Sequence, residues 1–172
     1  MITRRQALAA ATVALMAHPL SARADSGSDA ETLTALVAYA QEVVLGYDVA
    51  LARAPLATGD RVMLKRFQRD AASSVAALRS ELRHAGGTPP VPPDPRTAPP
   101  PASPTRRGYV EGVIAAENAL VARYYTACQE LTGPRHLNGS AAFMAAAGRR
   151  LVVLRQTLGD PLLPRSFETG SA

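Results

Sequence analysis

Apolar residues recur along this chain at steps of three and four in separate stretches, a spacing that predicts helices rather than strands. In the first stretch Leu33, Leu36, Ala40, Val43, Val44, Tyr47 and Leu51 form one stripe. That helix should run from about Ala30 to Ala54 and stop at Pro55, with Ser28 and Glu31 as a capping box at its start. The second stripe is Leu64, Phe67, Ala71, Ser74, Val75, Leu78 and Leu82. Asp60 or Thr58 should cap this helix, and Gly86-Gly87 should end it just after His84. The third stripe is Val110, Ile114, Glu117, Val121, Tyr124, Cys128 and Leu131. Its helix starts near Ser103-Pro104 or a turn later, and ends at Thr132-Gly133-Pro134. A fourth helix ends at Leu158 with Gly159 as its cap. Either Pro134 or Ser140 can open it, because Asn138-Gly139 is a poor helix interior.

Between the second and third helices, Thr88 to Thr105 holds nine of the chain's fourteen prolines. Such a segment cannot be helical and is too poor in apolar side chains to build a core. It reads as a stiff, extended crossover on the surface. Two helical hairpins joined by one long crossover make a four-helix bundle. The hairpins also repeat. Tyr47 corresponds to Tyr124 at an offset of 77, while Phe67 and Phe143, and Leu78-Arg79 and Leu154-Arg155, correspond at 76. The fold class expected is therefore all-α, a four-helix bundle from a duplicated hairpin.

Composition adds an address. The opening residues, MITRRQALAAATVALMAHPLSARADS, have a charged start at Arg4-Arg5, a short apolar run, and Ala22-Arg23-Ala24 as a small-x-small cleavage site. Thr3 to Leu8 is a partial match to the twin-arginine export motif, with Ala7 where a Phe is usual; the general secretory route is the alternative. Residues 1–24 are thus read as an export signal. Residues 25–172 are read as one domain, with 88–105 as its crossover and 160–172 as a short tail. The expected location is the periplasm, the cell envelope or the extracellular space, with no stable membrane anchor after cleavage. Cleavage would remove three of the nineteen basic residues and no acid, lowering the formal charge from +5 to +2. The remaining basic residues are dispersed, so nucleic acid is not an expected partner. The single Cys128 cannot form an internal disulfide and reads as a small core residue.

The candidate chemistry is sparse. Glu117 puts a carboxylate in the middle of an apolar stripe, and a buried carboxylate is costly unless something pairs with it. The sequence offers no Ser/His/Asp or Cys/His set, no Gly-rich phosphate loop and no Cys pair for zinc.

The mature chain, from about Asp29 to Gly170, resembles the bacterial exported ferritin-like domain proteins. The resemblance rests on Glu117 seven residues before Tyr124, the Leu-Arg near the end of each even helix, the Gly-Gly-x-Pro-Pro stretch at Gly86 to Pro90, and the tail from Pro164 to Gly170. It implies a ferritin-like bundle. Metal-binding members of that family carry a Glu on each odd helix and a Glu-x-x-His on each even helix, which together hold two iron or manganese ions. This chain departs from that pattern. The repeat sets Ala40 against Glu117. The positions of the two Glu-x-x-His pairs hold Ala71 and Ser74 on one helix and Ala147 and Arg150 on the other. Glu42 lies on another face of its helix, Asp70 is one residue out of phase, and His84 and His136 lie near helix ends. One carboxylate without a core histidine does not make a dimetal centre, so no metal and no other cofactor is expected.

Three functional readings follow. The leading one is non-enzymatic: a metal-free bundle acting as a binding or structural module for an unknown protein or small ligand, in an unknown oligomeric state. The second is a metal-binding or oxidoreductase protein with a site rebuilt around Glu117, Asp70, Tyr47 and Tyr124. The third is a binder of a small apolar ligand in the bundle centre, between Ala40, Ala71, Ser74 and Ala147. The ligand geometry implied by the resemblance makes the side chains at 117 and 150 neighbours. Arg150 is therefore expected to pair with Glu117, with Tyr47 or Tyr124 donating a further hydrogen bond.

Overall fold

The structure is a computed structural model that describes residues 26–101 and 103–160. The expected export signal and nearly all of the expected tail lie outside the described residues. Four helices follow in order: α1 (Ser26–Arg53), α2 (Thr58–His84), α3 (Arg106–Glu130) and α4 (Pro134–Leu158). They form an all-α four-helix bundle of two hairpins joined by the proline-rich crossover. α1 packs along both α2 and α3, and α3 packs along α4, whereas α2 and α4 barely touch.

The helix ends follow the local chemistry, with two corrections to the expected starts, at α1 and α2. α1 already includes Ser26, so the helix begins ahead of the expected start at Ser28. α2 has Ala57 as its N-cap residue. Asp60, in the first turn, accepts two hydrogen bonds from Arg106 at 2.6 and 2.8 Å. α3 starts at Arg106, with the Thr105 hydroxyl accepting from the Gly108 N–H at 3.2 Å. α4 opens at Pro134; Ser140, the rival start, is buried inside it. Gly159 closes α4 in the left-handed region at φ 71°, where a side chain would be strained.

The core is built from Leu33, Leu36, Val37, Val43, Tyr47 and Ala50 of α1, with Leu64, Leu78 and Leu82 of α2, Val110, Val113, Leu120 and Tyr124 of α3, and Leu154 of α4. α1 is long and apolar enough to cross a membrane by length and composition, but in the bundle its apolar stripe is spent on α2 and α3. The third stripe is corrected. Val113, Leu120 and Ala127 are the buried partners of Val110, Glu117, Tyr124 and Leu131, while Ile114, Val121 and Cys128 sit half-buried at the margin. The buried set alternates steps of three and four without drift, the pattern of a helix held along its whole length against a neighbour. Ile114, Val121 and Cys128 are as apolar as the residues that replace them, so only packing could choose the face.

The crossover does more than bridge. It runs along α1, where the buried Gln41 donates to the Pro90 carbonyl at 3.1 Å, and Arg53 donates to the carbonyls of Ala98 and Pro95 at 3.1 Å each. Ala98 packs onto the core, so the segment is not wholly outside it. Asp94 organises a turn by accepting from the Arg96 and Thr97 backbone N–H groups, at 2.9 and 3.1 Å.

Candidate functional site

Glu117 is fully buried on α3 and engaged on both oxygens. Arg150 of α4 donates from Nε to Oε1 at 2.5 Å and from Nη2 to Oε2 at 3.0 Å. Tyr47 of α1 adds its hydroxyl proton to Oε1 at 2.8 Å. A guanidinium fork matches a carboxylate edge, so one side chain supplies both countercharge and geometry. Breaking such a pair leaves a buried charge uncompensated, which is why its two members stand or fall together.

The sequence correspondence between the two hairpins matches the finding that Tyr47 donates to Glu117 and Tyr124 does not. The offset that maps Tyr47 onto Tyr124 also maps Ala40 onto Glu117. The counterpart of the Tyr47–Glu117 hydrogen bond is therefore Tyr124–Ala40, which has no acceptor. Likewise Arg150 corresponds to Ser74, whose hydroxyl bonds only back to the Asp70 carbonyl of its own helix, at 3.1 Å. All the charge of the central layer thus lies in one half of the bundle. The other half is reduced to small side chains, of which Ala40 and Ala71 are 3% exposed and Ser74 is half-buried. Ala147, on α4, is fully buried.

The surroundings raise the pKa of Arg150, Tyr47 and Tyr124. Burial pulls the Arg150 guanidinium down, but the hydrogen bonds and charge of Glu117 outweigh it and hold Arg150 above the ordinary arginine value. Burial first, then the charge and hydrogen bond of Glu117, push Tyr47 far above an ordinary phenol. Burial does the same to Tyr124, with Arg150 opposing. So raised, both tyrosines stay protonated and Arg150 stays charged near pH 7, which leaves none of the three poised as a general base there. The thiol of Cys128 is also pushed up by burial, away from the thiolate a nucleophile needs.

The residues do not fit the dimetal group that the ferritin-like resemblance implies. Among the described residues no three His, Cys, Asp or Glu side chains converge. The lone carboxylate has both of its oxygens engaged by Arg150 and Tyr47. Asp70 is exposed, His84 bonds the Ser80 carbonyl at 2.7 Å, and His136 meets Glu81 at 2.9 Å at the far end of the bundle.

The second feature is a cleft of about 660 Å³ between α2 and α4. Arg150 forms part of its floor, and Val62, Met63, Phe67 and Val153 give it an apolar wall. Two clamps tie α2 to α4 at opposite ends of this seam. At one, Arg106 bridges Asp60 and the Thr157 carbonyl, the latter at 3.3 Å. At the other, Glu81 accepts from Arg135 at 3.0 Å and pairs with His136. Asp60 and Glu81 lie about 30 Å apart along the helix axis. Between them Ala71, Ser74 and Ala146 offer nothing long enough to interdigitate, and the helices stand apart. The third functional reading would place an apolar ligand between Ala40, Ala71, Ser74 and Ala147. The cleft instead opens on the outer side of that layer and shares only Ser74 and Arg150 with it. Arg66 and Arg149, which line it, drew no notice in the sequence. For Arg149 the signal was the Arg149-Arg150 pair in an Ala-rich helix, of which only Arg150 had a role to fill; Arg66 carried none. Comparison with family models, with characterised proteins and with solved structures returned no match to this chain.

Proposed function

We propose that this chain is an exported, metal-free relative of the ferritin-like bundles that works by binding, not by catalysis. The observation that carries the reading is the double engagement of Glu117 by Arg150, with Tyr47 on the same carboxylate. The guanidinium supplies the positive charge that a metal would supply in a ferritin-like centre, and does so without an open coordination position. A redox or hydrolytic metal site needs such a position. The buried cluster then acts as a structural pin of α1, α3 and α4, and ligand contact falls to the surface of the bundle.

Metal analysis of protein purified from cells supplied with iron and manganese tests this reading. The expected result is sub-stoichiometric metal that dialysis removes. One or two tightly held ions per chain would overturn it. Export is tested separately: replacing Arg4 and Arg5 together by Lys should leave unprocessed precursor inside the cell, because the twin-arginine route requires the arginines and the general route needs only positive charge. Normal processing of the Lys-Lys form would assign export to the general route.

A further inference from the structure

We propose that the cleft between α2 and α4 binds a single-chain amphiphile with a carboxylate head, held between Arg66 and Arg149 while its aliphatic chain lies on Val62, Met63, Phe67 and Val153. This inference rests on the reading of the chain as a binding module, and it adds the ligand class and the site.

Three observations point to an occupant of this chemistry. The first is unspent charge. Arg66 and Arg149 are both exposed and line the cleft from opposite helices. Among the described residues no carboxylate comes within ion-pair distance of either. Arg150, the third guanidinium of the cleft, is committed to Glu117 and cannot leave it cheaply. Asp70, the one acid on the rim, leaves the free walls with two cations against one anion. Like charges on facing walls repel, and an anion between them relieves the repulsion while accepting paired donors from planar guanidinium groups.

The second observation is unspent apolar surface. Val62 is 66% exposed and Val153 is 36% exposed, although each lies on a bundle helix and faces the other across the seam. Phe67 and Met63 are only half-buried. The order along the seam is set by the clamps. α2 begins where α4 ends, because Arg106 holds Asp60 beside the Thr157 carbonyl. Val62 and Met63 therefore lie level with Val153, and Arg66 lies level with Arg149, one turn deeper. An apolar end followed by a cationic step is the outline of an amphiphile, not of a free inorganic anion and not of a neutral oil.

The third is shape. The volume falls within the range of sites that bury most of a small organic ligand. The clamps at Asp60 and Glu81 fix the separation of the two helices, so the cleft persists without an occupant. A preformed site avoids the ordering cost that a collapsing groove would impose.

The test is calorimetric titration of the purified chain with dodecanoate below its micelle concentration, with metal content measured on the same preparation. Dodecanoate should bind saturably at one per chain. Dodecanol and inorganic phosphate, each carrying half of the chemistry, should bind at least ~10-fold more weakly. Arg66→Gln with Arg149→Gln should weaken dodecanoate binding by at least ~10-fold, with no fall in the midpoint of thermal unfolding, because both side chains are exposed and their mutual repulsion is removed. Val153→Asp should abolish chain binding while leaving the fold intact. Dodecanoate failing to bind, or binding the double glutamine variant equally well, would overturn the proposal. So would phosphate binding as tightly as dodecanoate, which would mean a plain anion site, or dodecanol doing so, which would mean a plain apolar groove. None of these outcomes alters the metal result, so failure of the cleft is separable from failure of the metal-free reading.

Discussion

Asp29, in the first helix, caps the fourth. Its Oδ2 accepts the backbone N–H of Gly133 at 3.0 Å, and its Oδ1 accepts the N–H and hydroxyl of Thr132 at 3.0 and 3.1 Å. Gly133 is the N-cap residue of α4 and has no side chain to satisfy the first N–H groups itself. Asp29 is 6% exposed, so these donors have little access to water as a substitute. Asp29→Ala should therefore destabilise the fold by about 2 kcal/mol, the upper end for loss of a cap. Urea unfolding would measure it, and an effect near zero would show that the α3–α4 turn satisfies itself.

Arg150→Ala should cost about 3 kcal/mol or more, because it leaves Glu117 buried and unpaired. Glu117→Gln with Arg150→Met should cost much less than the two single changes summed. Tyr47→Phe removes a hydrogen bond to a charged group and should cost about 2 kcal/mol, whereas Tyr124→Phe, which loses no bond to Glu117, should cost less. A double-mutant cycle by urea unfolding checks the first pair. Strict additivity would show that Glu117 and Arg150 do not depend on each other.

Acid should weaken the bundle. For Asp60 the Arg106 hydrogen bond is the main cause that holds the carboxyl below its usual range, with burial opposing. For Asp29 burial pushes upward and is outweighed by the Thr132 and Gly133 donors. For Glu81 burial also pushes upward and is outweighed by Arg135 and His136. These folded-state values lie below the unfolded ones, which are about 4. As pH falls, the unfolded chain takes up protons first. The stability these groups contribute is fully present above the unfolded values, and is lost as pH falls through the lowered folded values. The urea midpoint should hold level from pH 7 to about 5 and decline below about 4, less steeply in Asp29→Asn with Glu81→Gln. A midpoint that rises on acidification would refute the assignment.

Shortening Pro92 to Pro101 to a flexible linker that still spans the bundle should change stability by about 1 kcal/mol, since closure entropy varies slowly with loop length. Part of that change is loss of the Arg53 bonds to Pro95 and Ala98, which are exposed and weak. A loss of several kcal/mol in urea unfolding would show that Ala98 and its neighbours seal an apolar face.

Much of the fold was legible because it is written locally. Helices end at Pro55, at Gly86-Gly87 and at Gly159 by backbone chemistry that needs no neighbour. The stripes of α1 and α2 and the density of proline after Thr88 likewise follow from spacing and composition. The meeting of Glu117 with Arg150 was foreseeable for a different reason. A charge within an apolar stripe requires a partner, and the ligand geometry that the ferritin-like resemblance implies put Arg150 in the matching layer. Tertiary structure decided what depends on several elements at once. It chose Val113, Leu120 and Ala127 over Ile114, Val121 and Cys128, because equally apolar residues are sorted only by the helix they meet. It brought Arg106 of α3 to Asp60, because a carboxylate in the first turn of a helix still has an edge free for a guanidinium. It also parted α2 from α4, leaving Arg66 and Arg149 facing each other across open space, because separation between helices is a property of no single stretch of chain.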